Sequence, residues 1–129
     1  MDLLTGILIY EKLAWIYCVP RQTIMAELRR KLVKKLEKID GIEVRLWKPD
    51  RDFTVIEYRG KEVAHFHGNN ELDIRLSPEV VKRDGLTHAP NHIGHPNRKN
   101  GGRWLMARFT RESHLAEMIR LVKMAIELR

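Results

Sequence analysis

The sequence predicts an α+β domain, an antiparallel β-meander of about five strands with amphipathic helices packed on one face. Three observations carry this. Between residues 42 and 76, short runs alternate apolar and polar positions, the period of half-buried strands. Arg59–Gly60 and Gly68-Asn69-Asn70 separate those runs with residues that tolerate hairpin turns. On either side of the strands, apolar residues recur every three or four positions, the signature of helices with one buried stripe.

Residues 3–19 are apolar apart from Thr5, Gly6, Glu11 and Lys12. The run is shorter than the roughly 20 apolar residues of a spanning helix and carries an acid and a base at its centre, so no transmembrane segment is expected. Asp2 stands where a signal peptide would have a basic region, and no small-residue cleavage motif precedes Pro20. Residues 1–20 are read as an apolar helix or arm that packs on the core or on a second copy, making a homo-oligomer one expected partner. Residues 21–129 form the folded domain.

Pro20 breaks that first segment, and Thr23 is the expected N-cap of a helix running to about Asp40 and ended by Gly41. Ile24, Leu28, Leu32, Leu36 and Ile39 line its apolar side, while Arg30, Lys31, Lys34 and Lys38 line the other. Strands follow near 42–47 and 52–58. A two-residue turn at Arg59–Gly60 places Phe53 opposite Phe66 and Val55 opposite Ala64. That pairing leaves Tyr58, Ile56 and Val63 on the opposite face.

Residues 61–76, KEVAHFHGNNELDIRL, form the most informative stretch. Side chains alternate across a strand, so Ala64 and Phe66 face one way and His65 and His67 the other. In the return strand Leu72, Ile74 and Leu76 share one face, and Glu71, Asp73 and Arg75 the other. Only the register pairing Phe66 with Leu72 keeps both faces chemically consistent, since a one-residue slip exchanges core for solvent. That register sets His65 across from Asp73. Ser77 and Pro78 then suit the N-cap and first position of a short helix ending near Gly85. A long loop over 86–102 precedes a fifth strand at 103–109. Thr110 is the expected cap of a last helix with the stripe Leu115, Met118, Ile119, Val122, Ala125 and Ile126.

Two histidine constellations follow. On the hairpin, His65, His67 and Asp73, with Arg75, Tyr58 and Trp104 near them, form a candidate ligand-binding surface. Two imidazoles spaced two apart on a strand can also reach one metal centre, and a His–Asp pair can equally be an oriented general base. The bland alternative is a solvated sheet face with ordinary cross-strand pairs. In the loop, His88, His92 and His95 suit zinc or another divalent metal chemically, and would join His65 and His67 if the loop folds over the hairpin. Otherwise they are polar loop residues.

Several classes lose support. With 24 Lys and Arg against 17 Asp and Glu, the net charge of +7 admits nucleic acid, anionic membrane or acidic partners without choosing among them. The aromatic interleaving of a single-strand platform is missing. Cys18 is the single cysteine, which excludes an internal disulfide and a Cys-based zinc site and is compatible with a reducing cytoplasm. No P-loop, dinucleotide fingerprint, H-E-x-x-H or G-x-S-x-G motif occurs. Gly101–Gly102 beside Arg98, Lys99 and Arg103 reads as a charged turn before a phosphate cradle.

The run GKEVAHFHGNNELDIRL, followed by a short helical segment, a His/Pro loop, GGRW and a final amphipathic helix, resembles the small bacterial luciferase-domain family. The resemblance covers roughly residues 23–128 and is most specific at 60–67, 72–76 and Gly102-Arg103-Trp104. It implies the α+β fold, and a His/Pro element matched by His92 or His95 with Pro96. It implies no light-emitting chemistry, because the family is one of unknown function. Together these readings favour a ligand- or partner-binding domain; a metal-dependent or His-based enzyme and a basic nucleic-acid-binding surface are the alternatives.

Overall fold

The computed structural model describes residues 20–48, 53–90 and 102–129. Helix α1 (Arg21–Glu37) is followed by β1 (Ile42–Lys48), β2 (Phe53–Tyr58), β3 (Lys61–His67) and β4 (Glu71–Arg75). Helix α2 (Pro78–Arg83), β5 (Trp104–Arg108), a 3₁₀ turn (Glu112–His114) and α3 (Leu115–Glu127) complete the order. The five strands lie in sequence order in one sheet, and every neighbouring pair is antiparallel. Short connections force this arrangement from β1 to β4, since parallel neighbours would each need a crossover; β5 joins β4 antiparallel after a longer connection that contains α2. Residues 1–19, and with them the expected N-terminal helix, lie outside the described set. Among the described residues, no helix is long and apolar enough to cross a membrane.

Helix α1 is rich in strong helix formers, and its Met25, Leu28, Leu32 and Leu36 recur at helical spacing and are buried. It begins at Arg21, directly after Pro20, three residues earlier than a Thr23 cap would allow. Thr23 sits inside the first turn, its N–H donating to the Pro20 carbonyl at 3.0 Å. Helix α3 buries Leu115, Met118, Leu121, Val122 and Ala125. Thr110 does not cap it. Instead the Thr110 N–H donates to His114 Nδ1 at 3.0 Å, and the 3₁₀ turn leads into the helix. Both helices pack on one side of the sheet, against Ile56, Val63, Ala64, Phe66, Leu72, Ile74, Leu105 and Ala107. Burial of each large aliphatic or aromatic side chain there contributes about 1.5–3 kcal/mol before entropy is counted.

Arg29 ties α1 to the hairpin. Its guanidinium donates to the Gly68 carbonyl at 2.8 Å and to Thr54 Oγ1 at 2.5 Å, and lies 4.7 Å from the centre of the Phe66 ring. On the exposed side Arg30 pairs with Glu27, and Lys31 approaches Glu112 at 3.4 Å. Ser77 Oγ accepts from the Val80 N–H at 3.3 Å with Pro78 at the first position, the expected start of α2.

The β3–β4 register is the one expected: Phe66 faces Leu72, Ala64 faces Ile74 and His65 faces Asp73. The β2–β3 register is not. Beside the Arg59–Gly60 turn Tyr58 pairs with Lys61 and Glu57 with Glu62, but the next pairs are Ile56 with Ala64 and Val55 with His65. Val63 is therefore the extra residue of a β-bulge, and Val63 and Ala64 are both fully buried in the core. The bulge exchanges the faces of β2. Ile56 joins the helix-side core and Tyr58 packs against it, whereas Val55, expected in that core, lies opposite His65.

Gly41 sits at φ +89°, and a Cβ there would lie 2.7 Å from Cε2 of Tyr58. Positive φ and the tyrosine ring both exclude a side chain. Gly41→Ala is expected to lower unfolding free energy by about 1–3 kcal/mol in urea titration. An unchanged midpoint would show that the α1–β1 turn relaxes without cost.

Candidate metal centre

On the face of the sheet away from the helices, the strands set out rows of side chains in register. One row holds Val55, His65, Asp73 and Met106; the next holds His67, Glu71 and Arg108; Arg75 and Trp104 pair beyond the first. Asp73, Val55 and Met106 are at most 1% exposed, and His65 is 9% exposed. A buried carboxylate needs charged or hydrogen-bonding partners to offset its lost hydration. Asp73 has two imidazoles: its Oδ2 lies 3.3 Å from His65 Nε2 and 3.7 Å from His67 Nε2. The two Nε2 atoms are 3.0 Å apart.

Three ligand-type atoms thus converge from two strands. Their separations leave a point about 2 Å from all three, which is the length of zinc–nitrogen and zinc–carboxylate bonds. No other group of three such residues with converging ligand atoms occurs among the described residues.

Glu62 completes the arrangement. Its Oε1 lies 2.6 Å from His65 Nδ1, so the imidazole donates Nδ1–H to a carboxylate and presents Nε2 to the cluster. In a regular strand residues three apart face opposite ways; the Val63 bulge brings Glu62 onto the His65 face. Parity alone therefore misses this residue. The adjacent apolar pair Val63–Ala64, breaking an otherwise alternating strand, was the available signal.

Burial opposes charge on His65, but hydrogen bonding and Coulomb attraction from Asp73, then from Glu62, outweigh it and hold the imidazole above its ordinary pKa. His65 thus lies between the two carboxylates, Nδ1 toward Glu62 and Nε2 toward Asp73 and His67.

The neighbouring residues divide. Trp104 lies against His65, ring centres 5.0 Å apart. Arg75 is half-buried, two residues along β4 from Asp73 on the same face. Glu71, 2% exposed, accepts from Arg108 at 2.7 Å and closes the row beyond His67. Tyr58, expected beside the histidines, packs instead against the helix-side core, because of the bulge. His88 lies at the edge of β5, where its Nδ1 accepts the Met106 N–H at 3.0 Å while Ala89 N–H donates to the Met106 carbonyl. That imidazole extends the backbone pairing of an edge strand and does not belong to the converging triad. His92 and His95 lie outside the described residues.

The family model described as Luciferase domain matches residues 60–125, half of the chain and the whole of the triad. The chain belongs to the luciferase-domain family. No curated protein and no solved structure matches it. The family match begins at the turn before β3 and runs into α3, so α1, β1 and β2, including Val55 of the buried row, lie outside it.

A raised folded-state pKa means His65 binds its proton more tightly in the native than in the unfolded protein. The resulting stabilisation is fully present below about pH 6.5 and is lost as pH rises through the folded value. In chelator-treated protein, NMR titration of the His65 ring is expected to give a midpoint above that of a free histidine. A midpoint below it would mean that burial outweighs the carboxylates.

Proposed function

We propose that this luciferase-domain protein holds a divalent transition-metal ion on His65, His67 and Asp73 and uses it to bind, and act on, a small molecule. The convergence of the two Nε2 atoms and one Oδ2 atom, 3.0–3.7 Å apart, carries the reading. Two imidazoles and one carboxylate favour zinc, cobalt, nickel or iron(II) over magnesium or calcium, which take oxygen shells. Three protein ligands leave coordination positions for water or substrate, the pattern of catalytic rather than structural sites. A metal bound there would supply Lewis acidity or lower the pKa of a bound water.

The chain's own residues have separate tasks. Glu62 fixes the tautomer and orientation of His65, the outer-carboxylate arrangement that raises ligand basicity. Asp73 contributes the negative charge that an incoming cation neutralises, replacing the proton held on His65. Val55 and Met106 give the site an apolar floor that strengthens electrostatic interactions beside it.

Untagged wild-type protein is expected to bind one equivalent of zinc or cobalt in calorimetry and elemental analysis. His65→Ala, His67→Ala and Asp73→Asn should each weaken affinity at least about 100-fold. Glu62→Gln, which touches no metal, should weaken it about 10–100-fold. Affinity should rise with pH, because the His65 proton must leave. Native-like circular dichroism with no uptake by wild type would reject the proposal.

A further inference from the structure

We infer that the metal centre and Arg75 form a single two-point site for a small molecule that carries two anionic groups, each a carboxylate or a phosphate. This rests on the metal reading above and specifies what the site receives. Arg75 and Asp73 share a face of β4 and are separated by one residue, a step of about 7 Å along the strand. Nothing in the metal cluster requires a cation there. Other charged residues of this face are matched: Glu71 with Arg108, and His65 with Glu62 and Asp73. Arg75 pairs with no carboxylate among the described residues, although it is half-buried and sits in a sheet full of acids.

Its surroundings favour an anion as the missing partner. Arg75 also borders a cavity of about 360 Å³ beyond the end of β4, lined by Ser77, Glu79, Arg103 and the end of α3 and by neither the triad nor Trp104, so it has open space beside it. A planar guanidinium binds carboxylate or phosphate through paired N–H donors. Trp104 lies between the two points, cross-strand from Arg75 and packed on His65. A ligand oxygen on the metal and a second anionic group at Arg75 would therefore span the Trp104 ring.

Cobalt-loaded protein tests this through its visible absorption, which responds to ligands entering the metal's coordination. Acetate, succinate, glutarate, inorganic phosphate and phosphoglycolate serve as probes. Succinate or glutarate should half-saturate the spectral change at least tenfold below acetate, and phosphoglycolate at least tenfold below inorganic phosphate. Half-saturation at lower concentration by phosphoglycolate than by succinate or glutarate shows that one of the two points favours phosphate, and the reverse shows that both take carboxylate. Arg75→Gln that still takes up one equivalent of cobalt should lose the two-group advantage while retaining the response to acetate; Arg75→Lys should keep part of it. Equal half-saturation by one-group and two-group probes, or an advantage that survives Arg75→Gln, overturns the inference while leaving the metal reading intact. No cobalt uptake by wild type removes both.

Discussion

Because Val63 occupies a bulge in β3, Val63 and Ala64 both turn into the core, and Glu62 comes onto the face that carries His65. The bulge has two consequences of opposite kind. For packing, it supplies two consecutive apolar side chains to the helices and exchanges the faces of β2, so Ile56 enters the core and Val55 leaves it. For chemistry, it puts a carboxylate behind a histidine. Bulges re-aim side chains in this way, and they cost a ladder hydrogen bond that neighbouring structure must offset.

The rest of the polar face follows from burial. Asp73 is fully buried in a central strand, and a lone carboxylate there would be strongly disfavoured. Its two imidazoles, one anchored by Glu62, make the charge tolerable. The adjacent row solves the same problem differently, by a direct Glu71–Arg108 pair. A guanidinium next to the triad would have sufficed to neutralise Asp73; histidines instead provide lone pairs that can be released to a metal.

Much of this was legible in the sequence, for physical reasons. Residues 64–67 and 71–76 of the β3–β4 hairpin alternate strictly, and a one-residue slip would bury Asp73's neighbours wrongly, so its register was determined and His65 met Asp73 as expected. Helical spacing in α1 and α3, and the Ser77–Pro78 start of α2, were equally clear. Parity failed at Val63, where a bulge is a choice between two packings of nearly equal local chemistry. Tyr58 was thereby placed on the wrong face and Glu62 overlooked. Helix starts were misplaced where backbone or ring atoms replaced the expected side-chain cap, at Pro20 and His114. His88 looked like a ligand by composition, but its Nδ1 is committed to the β5 edge, a role that sequence spacing does not reveal.

Where a bound ion lies is the most direct question. Crystals of untagged protein grown with zinc, with diffraction recorded on either side of the zinc absorption edge, would locate it. The expected result is one anomalous peak between His65 Nε2, His67 Nε2 and Asp73 Oδ2, about 2.0–2.2 Å from each, with Glu62 still on His65 Nδ1. A peak on other residues, or none at the triad in crystals saturated with zinc, would contradict the assignment.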